Sequence, residues 1–202
     1  MKRNKILIIS LTVLLLILIG WGVILYKIYD IKGKSDFYGH SFEREAPEFT
    51  LTDQNGSKVS LSDFKGKLVL LFFGYTHCPD ICPVTMSTLN SMVDQLGEDK
   101  DEVQVLFITI DPERDDQEAL RNYVPYFNES FIGLTGTPEE IELVAKSFGA
   151  FYMKEESDST SGYLMGHTSS IYLIDPNGMI ILRYPQAKMD PEEIAKDVKR
   201  IL

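Results

Sequence analysis

The stretch LVLLFFGYTHCPDICP, Leu68 to Pro83, decides the fold. Its first seven residues are a continuous apolar run of strand length, as in a strand buried on both faces. VTMSTLNSMVDQLG then predicts a helix ending at Gly97, with Pro83 suited to its first position. Strand, loop and helix place Cys78 and Cys82, the only two cysteines, at the carboxyl edge of a central strand. Open α/β sheets build their sites at that edge.

The same alternation continues on both sides. VQVLFITI (Val103 to Ile110) predicts a second buried strand, and Asp115 or Asp116 can cap a helix reaching about Phe127. FIGL is a short apolar piece. Thr137-Pro138-Glu139-Glu140 carries a capping hydroxyl, a proline at the first position and a reciprocal carboxylate, so a helix runs on to about Phe148. AFYMK suits a short strand, and Glu155 to Ser161 reads as a polar loop. Two hairpins are signalled, one around Asn55-Gly56 and one around Pro176-Asn177-Gly178, and DPEEIAKDVKRIL closes the chain as a helix. Together these predict an α/β domain with a mixed sheet flanked by helices.

Ahead of it stands MKRNK and then ILIISLTVLLLILIGWGVILY, Ile6 to Tyr26, without a charge. Roughly 20 such residues span a bilayer as a helix. The run is longer than a signal-peptide core and ends in Trp21 and Tyr26, which suits a retained anchor over a cleaved signal. Lys2, Arg3 and Lys5 favour a cytoplasmic N-terminus and an extracytoplasmic domain, where disulfides can persist. The expected organisation is residues 1–26 as basic segment and single-pass transmembrane anchor, 27–41 as polar tether and 42–202 as the folded domain. The net charge of −10 becomes more negative still when the N-terminal basic residues are set aside. Such a surface repels phosphate backbones and argues against nucleic acid as a partner.

Four chemistries are open to the cysteine pair. As a staple, so short a loop stabilises by only about 2 kcal/mol. Two chance buried thiols do not suit a strand–helix junction that flanks Pro-Asp. A redox pair and a metal site remain. Cys82 lies at or just before a helix start, where amides and the helix dipole favour a thiolate. Positions four apart on a turn sit about 5–6 Å from each other, close enough for a disulfide or a shared metal. A metal site needs a further ligand. His40 falls in the tether and reads as solvent-exposed. His77 adjoins Cys78, and neighbouring side chains point apart, so it suits thiol tuning better than ligation. His167 opens the strand TSSIYLID after a loop, where a structural and a ligating histidine are equally open. Two thiolates with one imidazole suit copper, with zinc as the alternative.

FGYTHCPDICP, ITIDPERD, FIGLTGTPEEIELVAKSFG and GHTSSIYLIDPNG resemble, in order and spacing, the Sco/SenC family from about Phe42 to the C-terminus. The resemblance implies a thioredoxin-like fold of the peroxiredoxin-related kind and a membrane anchor facing away from the cytoplasm. It implies a copper metallochaperone for assembly of the CuA centre of cytochrome c oxidase, with Cys78, Cys82 and His167 as ligands. Implied partners are the CuA-bearing oxidase subunit and a thiol reductant that keeps the CxxxC pair reduced. An alternative is a thiol–disulfide oxidoreductase, with Cys78 and Cys82 as its redox pair, that reduces the CuA-site cysteines. A thiol peroxidase fits poorly, since no proline precedes Thr76 in the strand. Many members resemble each other in an acidic residue just before the histidine, where this chain has Gly166. Asp80, inside the CxxxC loop, reads as a turn residue that could also tune a thiol or approach a metal. Asp111-Pro112-Glu113-Arg114-Asp115 matches the family and is sufficiently explained as a strand end and helix start, with a partner contact as the alternative.

Overall fold

The computed structural model describes residues 2–35, 37–156 and 162–202; side chains are described outside 2–10 and 28–35. The chain divides into two compact units, Met1–Phe37 and Tyr38–Leu202.

The first unit is one helix, α1 (Lys2–Ser35). Among the described residues no helix is long and apolar enough to cross a membrane. In α1 the described side chains run only from Leu11 to Lys27, fewer than the roughly 20 residues of a bilayer span. Of the segment 27–41, expected as a polar tether, the part through Ser35 is helical. Its last two residues, His40 and Ser41, open a strand.

The described residues of the second unit form ten strands and four α-helices: β1 (His40–Glu45), β2 (Thr50–Asp53), β3 (Lys58–Ser60), β4 (Leu68–Gly74), α2 (Ile81–Leu96), β5 (Val103–Thr109), α3 (Gln117–Phe127), β6 (Ile132–Thr135), α4 (Pro138–Phe148), β7 (Tyr152–Glu156), β8 (Tyr163–His167), β9 (Ser170–Ile174), β10 (Met179–Pro185) and α5 (Pro191–Ile201). Eight strands form one mixed sheet in the order β1-β10-β9-β4-β5-β6-β2-β3, and β7 and β8 form a separate antiparallel pair. β4 sits in the middle, parallel to β5 and antiparallel to β9. All seven of its residues are buried. Alternate side chains feed two layers. Phe72 packs toward Phe107, which meets Tyr123 of α3, while Phe73 packs on Phe148 of α4 and Tyr172 of β9. This is why the run carries no polar alternation.

Helix starts follow their capping chemistry. The Asp116 side chain accepts from the Ala119 amide, and Thr137 and Glu140 form the reciprocal box at α4. α2 differs from expectation. It begins at Ile81 with Asp80 preceding it, so Pro83 is its third residue. A proline is tolerated there because first-turn amides have no partner within the helix.

Three further differences concern strands. β1 was unexpected because its residues are mostly exposed and show no alternation. Backbone pairing with β10 and the packing of Phe42 on Tyr172 hold it in place. Where it begins, the buried Asp197 carboxylate of α5 accepts from the Tyr38 and Gly39 amides and from the Tyr184 hydroxyl. Glu155 and Glu156, expected in a loop, complete β7; the remainder of that loop, 157–161, lies outside the described residues. His167 does not open the strand TSSIYLID but closes β8, opposite Tyr152, and β9 starts only at Ser170.

Candidate metal centre

The centre lies at the carboxyl end of β4. Gly74 ends the strand because nothing larger fits. A Cβ there would stand 2.7 Å from the Phe107 ring, 2.8 Å from Phe72 and 3.1 Å from Cys82 Sγ. The chain then turns, with the Cys78 amide donating to the Tyr75 carbonyl, and enters α2, whose second residue is Cys82. Cys78 is half-buried, Cys82 is fully buried, and both are free thiols. The Cys82 amide, in the first turn of α2, points at Cys78 Sγ at 3.5 Å.

β8 brings the third group. His167 Nε2 lies 3.6 Å from Cys82 Sγ, and its Nδ1 is 3.3 Å from the Thr168 carbonyl. A carbonyl only accepts, so Nδ1 donates there, and Nε2 is the ring atom that faces the sulfurs. Phe72 and Tyr75 meet the imidazole edge-on, with centroids 6.2 and 6.0 Å away. The Met165 amide donates to the Tyr75 hydroxyl, tying β8 to the cysteine loop. Among the described residues, Cys78, Cys82 and His167 form a group whose ligand atoms lie within 4.8 Å of one another and could hold a metal ion.

The sulfurs are electrostatically unequal. The Cys82 thiol donates to Cys78, and His167 and the Asp80 and Cys82 amides add to it against the opposing effect of burial. The Cys78 thiol is lowered to about 3. Cys82 is pushed up, first by its pairing with Cys78 and then by burial. The reduced pair thus carries one negative charge, on the more accessible sulfur. Since Cys78 loses that charge only as pH falls toward about 3, its alkylation rate by iodoacetamide should stay flat between about pH 5 and 8. An ordinary thiol, with a pKa near 8.5, rises about tenfold per unit there. Mass mapping should find Cys78 labelled before Cys82; a tenfold-per-unit rise would refute the pairing.

The other expected residues stand apart. His77 is turned outward, with Nδ1 3.0 Å from Thr76 Oγ1 and 3.6 Å from Asp115. The Asp80 side chain makes no capping bond, and only its amide serves Cys78. His40 is exposed on β1, opposite Arg183. At Gly166 the space of a side chain is taken by the Glu155 carboxyl from the facing strand, so an acidic residue there would displace Glu155. Sequence reasoning missed Tyr75 and Asp115. Asp115 lies within the PERD segment, whose polar residues sat beside a strand end, and that was the available signal.

A mixed sheet with a CxxxC at the end of its central strand and a histidine delivered beside it defines a thioredoxin-like protein with a thiol–imidazole centre. The sequence model of the SCO1/SenC family matches residues 39–202, and the chain belongs to that family. It is similar to the mitochondrial SCO2 homolog of Danio rerio, 40% identical over 154 residues, covering 75% of this chain and 55% of that one. It thus spans just over half the length of that relative. Among solved structures, Bradyrhizobium japonicum ScoI with copper bound superposes with a TM-score of 0.72 at 40% identity, covering 79% of this chain and 100% of the other. BsSco, described as having a disulfide switch and as a member of the Sco family of cytochrome c oxidase assembly proteins, gives a TM-score of 0.66 at 30% identity, covering 81% and 96%.

Proposed function

We propose that this chain is a copper metallochaperone that holds one copper ion between Cys78, Cys82 and His167 and passes it to the CuA-bearing subunit of cytochrome c oxidase. The observation carrying this is the convergence of two sulfurs and an imidazole nitrogen within 4.8 Å. Thiolates and imidazole are soft to borderline donors, well matched to copper. The copper-bound ScoI and the oxidase-assembly role stated for the BsSco family support the same reading. Ligation requires both sulfurs reduced and deprotonated, so copper loading and thiol state are linked. A thiol reductant is the implied second partner.

α1 is the proposed membrane anchor. The uncharged run Ile6–Tyr26 supports it, as does the exposure of every large apolar side chain described from Leu11 to Tyr26, at least half in each case. With the basic cluster on the cytoplasmic side, the second unit is extracytoplasmic. The full chain should therefore stay in alkaline-washed membranes. Loaded with one copper, it should build the CuA absorption in a reduced apo CuA domain. Release by the wash removes the anchor, and copper that stays on the donor removes the transfer.

A second reading rests on the inequality of the sulfurs. The Cys78 thiolate attacks a substrate disulfide, forming a mixed disulfide and expelling one substrate thiolate. Cys82 then attacks the Cys78 sulfur, which releases the second substrate thiol and leaves a Cys78–Cys82 disulfide. Two electrons pass to the substrate, and a thiol reductant must restore the pair. His167 forms no bond in this sequence and only assists the Cys78 thiolate, whereas in the copper reading it is a ligand, which separates the two readings.

A further inference from the structure

The turn Asp111-Pro112-Glu113-Arg114-Asp115 follows β5 and joins both halves of the centre without contributing a ligand. Asp115 is fully buried. Its carboxylate accepts from the Thr76 amide at 2.9 Å, the Thr76 hydroxyl at 2.6 Å and the Thr109 hydroxyl at 2.6 Å. Thr76 is two residues before Cys78, so this carboxylate anchors the cysteine loop to the end of β5. The Thr135 hydroxyl in turn donates to the Asp115 carbonyl.

The other end of the turn grips β8. Arg114 pairs with Asp111 and donates to the Tyr163 carbonyl at 3.0 Å. Its guanidinium lies 3.6 Å over the Tyr163 ring. The Tyr163 hydroxyl donates to Asp111 at 2.7 Å. From the facing strand, Lys154 stands over the same ring at 4.8 Å and pairs with Glu113. Tyr163 and His167 are the first and last residues of β8, so the clamp fixes the strand that carries the imidazole. A stacked arginine that donates to a carboxylate and a carbonyl at once is not replaceable by a simple cation.

We propose that this turn is the positioning element of the metal centre, with Asp115 placing the cysteine half and the Arg114–Asp111–Tyr163 clamp placing His167. The expected changes in copper affinity rest on the copper-binding reading above. Groups that orient a ligand through hydrogen bonds cost about 10- to 100-fold in metal affinity when removed.

The test is a double-mutant cycle on the full chain in detergent, titrated with Cu(I) against a colorimetric chelator. Arg114→Gln should lose about 10- to 100-fold in affinity. Combined with His167→Ala it should lose no more than His167→Ala alone, because it acts through that histidine. Tyr163→Phe, which keeps the stacked ring and removes only the hydroxyl, should show the same non-additivity with a smaller loss and a native circular dichroism spectrum. Asp115→Asn should instead add to His167→Ala. Without any metal, Asp115→Asn should move the Cys78–Cys82 equilibrium with glutathione toward the disulfide by about tenfold, as the loop is freed, while Arg114→Gln leaves it in place. Additive losses for Arg114→Gln or Tyr163→Phe with His167→Ala overturn the clamp, and an unmoved glutathione equilibrium in Asp115→Asn overturns the anchor. If His167→Ala alone binds copper like the parent, the copper reading is what fails, and the glutathione measurement still decides the role of Asp115.

Discussion

Replacing His167 with alanine is expected to cost at least about a hundredfold in Cu(I) affinity, more than the loss of a group that merely orients a ligand. The imidazole is the one nitrogen donor of the cluster, and its Nε2 faces Cys82 Sγ at 3.6 Å. The variant should still fold, because the half-buried ring sits at the rim of the core beside Phe72 and Tyr75. The sulfur-to-Cu(II) charge-transfer band should shift and weaken for the same reason. Competition titration beside the parent, with thermal melts as a control for folding, measures both effects. Thiol exchange by the Cys78–Cys82 pair should change far less, because the Cys82 thiol, ahead of His167, is the first of the groups that lower Cys78. Parent-like affinity would remove His167 from the centre and leave the thiol-exchange reading in possession.

The second large effect is on stability. Phe72 is wholly buried in the central strand, between β5 and β9, with its ring 6.1 Å from Phe107 and 6.2 Å from His167. Phe72→Ala leaves a cavity where no neighbour can collapse freely, since both flanking strands are fixed by their ladders. Such truncations cost about 3–5 kcal/mol. For a domain of this size that lowers Tm by about 10 °C. Below its transition the variant should retain copper binding better than His167→Ala, because all three donors remain. Differential scanning calorimetry on apo protein gives the first number; a Tm within a degree or so of the parent would contradict the packing described for β4.

What the sequence shows and what it hides can be traced to individual contacts. β4, β5 and both hairpins are visible because burial on two faces and turn chemistry are local properties. The helix starts at Asp116 and Thr137 are visible for the same reason, their capping partners being three residues away. The two cysteines announce themselves. His167 does not: its place depends on β8 pairing with β7, and with Gly166 and half-buried neighbours that strand resembles a loop. Resemblance to the family, not periodicity, singled it out. β1 is hidden because an exposed outer strand needs no alternation. Asp115 is hidden because its partner Thr76 lies 39 residues away, and a buried carboxylate held by hydroxyls has no local signature. The turn Asp111–Asp115 reads locally as a strand end and helix start, which carries no trace of its long-range partners.

The separation of the donors along the chain has a consequence for biogenesis. Cys78 and Cys82 can meet as soon as one turn of helix forms, but His167 is 85 residues beyond Cys82. Long-range closure of this kind comes late in folding, because the entropy of large loops must be overcome first. A nascent chain therefore offers stray ions a bare dithiol and nothing more. Three-donor capture becomes available only when β8 has docked against the finished sheet. On the proposed copper reading, tight retention of the metal would be a certificate of maturity, issued once the last third of the polypeptide is in place.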